Sequence, residues 1–252
     1  MNGCFLPPMV TISTHGLPRT STPQLHPHVA AKVQSLAPDP DTRILDLGCG
    51  SGALLERLAC MGYRQLTGVD IRPPAATAAI RYWQADLDQF RLDAADGSID
   101  LALAVEVIEH IENPGLFLAE LARLLRPGGL ALFTTPNLHS AQAKLLFALG
   151  DRLKQLDAKG DPTHIMPIVL FPFTRLLNRH GLTVLESWGF PLDGSSPTSR
   201  PAMRLAARLV RPLLRTSIQG DNLCLLVERS EAGHCSTTGN STKEELLTSH
   251  YG

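Results

Sequence analysis

The chain has 252 residues, of which 44% are hydrophobic and 19% charged, enough for one α/β domain and short for two. Its formal net charge of -1 excludes a general attraction to nucleic acid or anionic membranes, so any such attraction must be local. The five cysteines lack CxxC spacing and favour reduced thiols over a disulfide framework or a zinc site. Neither a signal peptide nor an apolar run of about 20 residues is visible, so we expect a cytoplasmic protein.

The chain is predicted to contain one domain, residues 25–229, between disordered segments 1–24 and 230–252, which are rich in Pro, Thr and Ser. Short apolar runs alternate in the domain with helical patterns, which indicates a parallel sheet with crossover helices. In chain order, the first half is predicted to contain a helix at 27–36, a strand at 43–47, a helix at 51–60, a strand at 65–71, a short helix opened by Pro73-Pro74, a strand ending near Asp86 and a strand at 98–105.

The second half continues the alternation and adds two helical insertions. A helix begins at Asn113-Pro114 and runs through Leu125, because proline suits a first helical turn, and the sequence Arg126-Pro-Gly-Gly129 is expected to stop it. The remaining predicted elements are a strand at 130–135, a helical insertion at 141–156, a helix at 173–180, a strand at 182–188, a helix near 201–215 and a strand at 222–228. The sequence therefore predicts seven strands with an extra helix between the last two.

A glycine-rich loop follows the first strand, where Gly48-Cys-Gly-Ser-Gly52 opens onto an apolar helix. Glycines permit close approaches that a Cβ would block, and the helix N-terminus offers unpaired N–H groups to a polar ligand. Asp70 closes the second strand, where a carboxylate can take both hydroxyls of an adenosine ribose. The pattern indicates an adenosine-containing cofactor. A simple connecting turn and a dinucleotide site, which Gly48, Gly50 and Ala53 also fit, are the alternatives.

The string Asp46-Leu-Gly-Cys-Gly-Ser-Gly52 resembles motif I of class I S-adenosylmethionine-dependent methyltransferases. An acid at Asp46 suits the cationic methionine end of that cofactor better than a pyrophosphate. The resemblance covers about 41–187 and implies that Asp70 binds the ribose and Asp86 accepts from the adenine amino group. It also implies a Rossmann-like α/β fold with strand order 3-2-1-4-5-7-6 and helices on both faces. The cofactor-binding residues expected on this basis are Asp46, Gly48, Cys49, Gly50, Gly52, Asp70, Ile71, Asp86, Leu87 and Glu106.

Three polar residues, Glu106, Glu109 and His110, follow the fourth strand at the edge where α/β sheets bind ligands. The E-x-x-E-H pattern resembles that of ubiquinone-pathway O-methyltransferases and of small-RNA 3′-terminal 2′-O-methyltransferases, in which such residues are associated with a divalent metal. The resemblance implies a Mg or Zn site formed by Glu106, Glu109, His110 and His164. Without a metal, Glu109 or His110 is the candidate catalytic general base. The plain alternative is that Glu109 and His110 cap or solvate the following helix.

Two stretches near the expected active-site mouth are amphipathic. In 200–215, arginines recur at helical spacing opposite a leucine stripe, and Pro212 is expected to kink or end the helix. In 141–156, leucines at 145, 149, 153 and 156 lie beside Lys144, Arg152 and Lys154, in a place similar to the membrane-contacting insertion of ubiquinone enzymes. Both stretches predict either solvated basic faces or peripheral contact with an anionic membrane.

The residues and the resemblance together predict an enzyme that methylates an oxygen of a small or lipid-linked acceptor, held in line with the sulfonium methyl group of S-adenosylmethionine. An NAD(P)-dependent oxidoreductase and a non-catalytic S-adenosylmethionine-binding module are the alternatives. An aromatic content of 5% disfavours an RNA acceptor.

Overall fold

The computed structural model describes residues 22, 24–74, 77, 80–89, 91–157, 160–196, 201–214 and 218–231, and a seven-stranded sheet runs through its centre. The strands are β1 (Arg43–Leu47), β2 (Gln65–Asp70), β3 (Ile80–Gln84), β4 (Ile99–Val105), β5 (Leu125–Pro136), β6 (Leu182–Phe190) and β7 (Asn222–Arg229). Their order is β3-β2-β1-β4-β5-β7-β6, which confirms the predicted order. β7 runs antiparallel to β5 and β6, and the other neighbours are parallel.

Helices cover both faces of the sheet. They are α1 (Leu25–Leu36), α2 (Ala53–Cys60), α3 (Pro114–Leu124), α4 (Ala141–Gly150), α5 (Leu170–Arg179) and α6 (Pro201–Val210), and a single 3₁₀ turn spans Ile108–His110. Neighbouring residues of one strand point to opposite faces. In β1, Leu45 therefore packs in the core that includes Phe117 of α3, whereas Ile44 packs in the core that includes Val29 of α1. Because helices cover both faces, the sequences of the central strands are nearly continuous apolar runs.

Three regions differ most from the predicted elements, and other boundaries shift by a few residues. The chain passes from α3 directly into β5, and Arg126-Pro-Gly-Gly129 forms an irregularity inside that strand, where the register shifts between Ile99 and Leu101. α4 ends at Gly150, since Asp151 adopts a left-handed conformation at φ 49°, so Leu153 and Leu156 do not continue its stripe. The described residues after β2 include Pro73 and Pro74 in no helix, and residues 75, 76, 78 and 79 lie outside the description.

The thiols differ in part from the prediction. Cys49 and Cys224 are free and buried, as expected, but Cys60 is disulfide-bonded, so the expectation of reduced thiols is wrong for Cys60. The two segments predicted to be disordered, 1–24 and 230–252, lie almost wholly outside the described residues. Within the described part of the chain, every helix is too short or too polar to cross a bilayer.

Candidate functional site

The carboxyl ends of the parallel strands lie at one edge of the sheet, where α/β folds bind ligands. β1 ends there in the glycine loop, β2 in Asp70 and β4 in Glu106. The antiparallel strand β7 begins at the same edge, because Asn222 pairs with Pro136 of β5. The residues that the sequence singles out therefore meet at this edge.

The glycine loop uses positive φ angles that L side chains rarely adopt. Gly48, Gly50 and Gly52 have φ values of 70°, 53° and 79°. A Cβ on Gly52 would lie 2.2 Å from the hydroxyl oxygen of Tyr82, whereas one on Gly50 would meet no atom within 4 Å. The absence of a side chain at Gly52 thus allows the loop to pack closely against Tyr82 of β3, whereas the space next to Gly50 is open. Cys49 contributes its buried thiol to the packing beneath.

Asp70 is tied to the glycine loop by its side chain. Its carboxylate accepts hydrogen bonds of 2.9 Å from the backbone N–H groups of Gly50 and Arg72. Two donors from fixed backbone orient the carboxylate while leaving lone pairs for a further donor. The structure thus brings Asp70 and the loop together, as the expected ribose site requires.

Asp46 lies beneath the loop and is 3% exposed. Burial raises the pKa of its carboxyl to about 8, and the Asp70 carboxylate adds to the rise. A buried acid with so high a pKa becomes ionised readily only when a cation comes close. The environment is therefore compatible with the cationic end of a ligand.

The residues expected around the adenine lie at the ends of β2 and β3, which pair through Asp70 and Gln84. Ile71 is 58% exposed, Asp86 is exposed and Leu87 is partly buried. The side chain of Gln84 donates to the carbonyl of Ile71 at 3.0 Å and fixes the backbone there. These residues are accessible from solvent, in contrast to the buried acids on the other side of the loop.

Glu106 stands at the end of β4 in a left-handed conformation, with φ 55°. This conformation is uncommon for a residue with a Cβ and is concentrated at functional sites. Two hydrogen bonds with Thr134 of β5 stabilise it. The Glu106 N–H donates to the Thr134 carbonyl at 3.0 Å, and the Thr134 hydroxyl donates to the Glu106 carboxylate at 3.1 Å. Burial raises the pKa of the Glu106 carboxyl to about 7.

Glu109 is fully buried, and neither oxygen of its carboxylate has a hydrogen-bond partner among the described residues. Burial, followed by the nearby Glu106, raises its pKa well above the ordinary value. Its backbone carbonyl accepts from Ile165 and Met166 at 2.9 Å each, which brings the segment that carries His164 onto the 3₁₀ turn. A buried acid without partners is costly, so a ligand at this carboxylate would relieve a real penalty.

Glu109, His110 and His164 form one cluster in which a ligand atom from each lies within 4.8 Å of the others. The two rings are edge to face, with centroids 4.7 Å apart. Nδ1 of His110 donates to the Thr163 carbonyl at 3.0 Å, which leaves Nε2 as the unprotonated nitrogen of the neutral ring. Burial lowers the pKa of His110 and keeps that ring neutral. Glu106, expected in the same set, adjoins the cluster without being part of it.

An ion pair with little solvent exposure lies behind Glu106. Lys154 is 7% exposed and forms a salt bridge with the fully buried Asp221, and its ammonium group also donates to Ser196 at 3.0 Å. The expectation that Lys154 lies beside the leucine stripe of a helix is therefore wrong, because that helix ends at Gly150. The Asp221 charge contributes to the high pKa of Glu106.

Sequence reasoning missed several polar residues at this edge, namely Thr134, Thr135, Lys154, Asp221 and Asn222. Two signals were available. Thr134 and Thr135 interrupt the apolar run of β5 where it reaches the ligand-binding edge, and Asn222 is a polar residue at the start of an apolar strand. The pairing of Lys154 with Asp221 spans 67 positions and has no local signal.

Comparisons with known proteins agree with this geometry. A family model described as a methyltransferase domain matches residues 23–187. A ubiquinone biosynthesis O-methyltransferase of Aromatoleum aromaticum is 30% identical over 158 residues, which are 58% of this chain and 66% of that protein. Another, from a Caulobacter species, is 41% identical over 105 residues, which are 38% of this chain and 41% of that protein. The chain thus covers less than two thirds of either relative.

Among solved structures, a SAM-dependent methyltransferase of Archaeoglobus fulgidus has a TM-score of 0.53 at 19% identity and covers 81% of this chain and 94% of its own. Identity at that level shows a shared fold. The family model, by contrast, spans more than half of the chain and includes the glycine loop, Asp70 and the E-x-x-E-H segment. The alternative of an NAD(P)-dependent oxidoreductase is not favoured. The chain belongs to the class I S-adenosylmethionine-dependent methyltransferases.

Proposed function

We propose that this protein transfers the methyl group of S-adenosylmethionine to an oxygen of a small or lipid-linked acceptor. The observation that carries the proposal is the meeting, at one sheet edge, of the Asp70-bonded glycine loop with the Glu109–His110–His164 cluster. The first suits the cofactor and the second suits a hydroxyl that must lose its proton. The relatives named as ubiquinone biosynthesis O-methyltransferases support an oxygen acceptor on a ring that carries a lipid tail.

In this reaction the residues of the chain position the acceptor and accept the proton of its hydroxyl group. The S–CH₃ bond breaks as the O–CH₃ bond forms, S-adenosylhomocysteine departs, and the hydroxyl proton passes to a base. Nε2 of His110 and the Glu109 carboxylate are the candidate bases, since the first carries a lone pair and the second has no competing hydrogen bond. Because the sulfonium is already a good leaving group, positioning of the acceptor supplies most of the acceleration.

A divalent metal, Mg or Zn, fits the cluster. Glu109 offers two carboxylate oxygens without partners, and His110 and His164 each donate Nδ1–H to a backbone carbonyl, the arrangement that orients metal-binding imidazoles. We propose that these three residues hold the ion, with Glu106 beside them. When bound, it would lower the pKa of an acceptor hydroxyl.

Methyl transfer is tested with tritiated S-adenosylmethionine and two acceptors, a catechol and the same catechol with an isoprenoid tail. We expect label in both products, with the higher kcat/KM for the tailed acceptor. Cofactor binding is tested by titrating S-adenosylhomocysteine into the wild type and Asp70→Ala, with the exposed Asp93→Ala as the matched control. Undiminished binding by Asp70→Ala, or no label in either product, would overturn the proposed function.

The second proposal concerns contact with a membrane. α6 buries only Ala207, while Leu205 and Leu209 are 61% and 70% exposed and Arg204 and Arg208 are exposed beside them. These exposures favour the interfacial alternative over a helix that packs on the domain. α4 adds Phe147 and Leu149 at 55% and 78% exposure. Apolar and cationic groups on one uncovered surface suit the interface of an anionic membrane. Of the predicted arginine stripe, residues 200 and 215 lie outside the description.

This contact is tested by sedimentation with phosphatidylglycerol and phosphatidylcholine vesicles at low and high salt. We expect binding to the anionic vesicles at low salt, and loss of binding in the Leu205→Glu/Leu209→Glu double variant. As a matched control, Leu185→Glu changes a leucine of β6 that is 51% exposed. Absence of sedimentation with anionic vesicles at low salt would end this proposal and leave the methyl transfer untouched.

A further inference from the structure

The ion pair of Lys154 with Asp221 joins three segments that are distant in the sequence. Lys154 follows α4, Ser196 follows β6 and Asp221 precedes β7, and all three side chains are buried. The ammonium group of Lys154 donates to the Asp221 carboxylate and, at 3.0 Å, to the Ser196 hydroxyl, which itself donates to the same carboxylate. The desolvation of two buried charges offsets most of their attraction, so apolar residues of similar volume often stabilise a fold as well. The ion pair is therefore expected to have a role besides stability.

The residue that follows Lys154 orients a ring of the Glu109–His110–His164 cluster. The Gln155 carbonyl accepts a hydrogen bond of 2.9 Å from Nδ1 of His164. Gln155 has a left-handed backbone, which a residue with a Cβ seldom adopts unless its surroundings impose it. The ion pair anchors the preceding residue on one side. On the other side a glycine at 160 packs so closely that a Cβ there would lie 2.2 Å from the Gln155 carbonyl oxygen. The location of this carbonyl therefore depends on the anchoring of Lys154.

The backbone around His164 is held by contacts of its own. The next two residues, Ile165 and Met166, donate their N–H groups to the Glu109 carbonyl at 2.9 Å each. These bonds need neither the ion pair nor the carbonyl before it. A substitution at Lys154 is therefore expected to leave this backbone in place and to change the group that orients the ring.

The orientation of the ring determines which of its nitrogens has a lone pair. A neutral imidazole carries its proton on one of two nitrogens. A carbonyl can only accept, so the Gln155 carbonyl holds the proton of His164 on Nδ1 and leaves Nε2 unprotonated. The lone pair of that nitrogen can bind a cation or accept a proton. Without the carbonyl, the ring would exchange between its two tautomers.

We propose that Lys154 is a positioning residue for His164. Its ion pair with Asp221 holds the Gln155 carbonyl in place, and the carbonyl selects the tautomer of His164 that has an unprotonated Nε2. The part that this nitrogen takes in methyl transfer rests on the proposed function, whereas the selection of the tautomer does not.

The first test detects the tautomer without a metal or an acceptor. Protein labelled with nitrogen-15 in its histidines is studied by NMR at about pH 8.5, where a histidine of ordinary pKa is neutral. The signals of His164 are those that disappear in His164→Gln. We expect the Nδ1–H tautomer in the wild type, and a mixture of tautomers in Lys154→Met and in Lys154→Met/Asp221→Leu. The His110 ring is the internal control and should keep its tautomer, because the Thr163 carbonyl orients it.

The Lys154→Met/Asp221→Leu variant separates positioning from stability. Two apolar side chains restore the packing and avoid the unpaired charge, but they make no directional hydrogen bonds. We therefore expect this variant to recover folding stability without recovering the wild-type tautomer of His164. The inference is overturned if His164 keeps the Nδ1–H tautomer in this variant, or if the wild type does not show that tautomer.

The second test is a double-mutant cycle on zinc affinity, measured by calorimetry. Its members are the wild type, Lys154→Met, His164→Gln and the variant with both changes. We expect Lys154→Met to weaken zinc binding about 10- to 100-fold when His164 is present and less than about twofold when it is absent. Lys144→Met is the matched control, since it changes a lysine of α4 that donates to the Leu214 carbonyl at 3.4 Å, and it should bind zinc as the wild type does.

The outcomes of the two tests distinguish this inference from the earlier proposals. Equal weakening of zinc binding by Lys154→Met with and without His164 would show that Lys154 acts through another group, and would overturn the inference. Absence of zinc binding by the wild type contradicts the metal site alone, because the tautomer measurement needs no metal. Absence of methyl transfer contradicts the proposed function alone, because neither test needs turnover.

Discussion

His110 and His164 lie edge to face with ring centroids 4.7 Å apart, although 54 positions separate them in the sequence. Each ring is oriented by its own backbone carbonyl, Thr163 for His110 and Gln155 for His164. Gln155 holds its carbonyl in place from a left-handed conformation at φ 67°. The segment between α4 and α5 therefore contributes both a candidate ligand and the group that orients it.

The first prediction concerns the candidate metal. Zinc titrated calorimetrically into the protein should bind to the wild type, and His164→Gln should weaken binding by more than about 100-fold, since loss of a ligand exceeds the loss of an outer partner. His180→Gln, which changes a partly exposed histidine at the end of α5, is the control. Equal zinc affinity for wild type and His164→Gln would exclude His164 as a ligand.

The second prediction separates two glycines of one loop. Gly50→Ala keeps open space around its Cβ and should cost only about 1–2 kcal/mol for the left-handed backbone. Gly52→Ala adds a Cβ only 2.2 Å from the Tyr82 hydroxyl oxygen, a steric clash that should cost about 3 kcal/mol or more. Urea unfolding measures both. The Gly52→Ala/Tyr82→Phe double variant should recover part of the loss, and no recovery would show that the overlap is not the cause.

The sheet could be predicted from sequence because its information is local. Each central strand is an apolar run between turn residues, and the glycine loop and Asp70 are marked by residue types that few other structures need. The boundary at β5 failed for the same reason, since Arg126-Pro-Gly-Gly129 is a strong local breaker that the pairing of β4 with β5 overrides.

The acceptor side could be predicted only in part, because its contacts are long-range. Glu109 and His110 can be recognised in the sequence as polar residues that follow a buried strand. The position of Asn222 beside Glu106 depends on how β7 inserts between β5 and β6, which no short motif encodes. The sequence places Lys154 in an amphipathic helical pattern, but the left-handed conformation of Asp151 ends the helix before that residue.

The third prediction concerns pH and the cofactor. Burial raises the pKa of Asp46 to about 8, so the free protein carries this carboxyl mainly protonated at pH 7. The ammonium group of S-adenosylhomocysteine would favour the ionised form, so binding would release a proton. Affinity should therefore rise from pH 6 to pH 8, by up to about tenfold per pH unit, and level off above pH 8. Titrations across this range measure it.

Two neighbours of Asp46 do not change their charge between pH 6 and pH 8, so the predicted pH dependence is assigned to Asp46. Burial raises the pKa values of Cys49 and Tyr82 to about 12 each, and the negative charge of Asp46 adds to both shifts. Both groups therefore stay neutral over this pH range. The Asp70 carboxylate supplies the remaining charge. Asp46→Asn should bind with little dependence on pH and release no proton. The same pH dependence in wild type and Asp46→Asn would assign the proton to another group.

The fourth prediction concerns the Lys154–Asp221 ion pair. Lys154→Met removes the ammonium group from beside a fully buried carboxylate and should lower the free energy of unfolding by about 3–5 kcal/mol. Lys154→Met/Asp221→Leu should recover most of that loss, because two apolar groups of similar volume avoid the desolvation of both charges. The control is Arg64→Met in the exposed pair with Asp41, where we expect no measurable change. Urea unfolding of the wild type and the three variants measures these free energies. Equal losses in the Lys154→Met single variant and the double variant would mean that lost packing, and not the unpaired buried charge, causes the destabilisation.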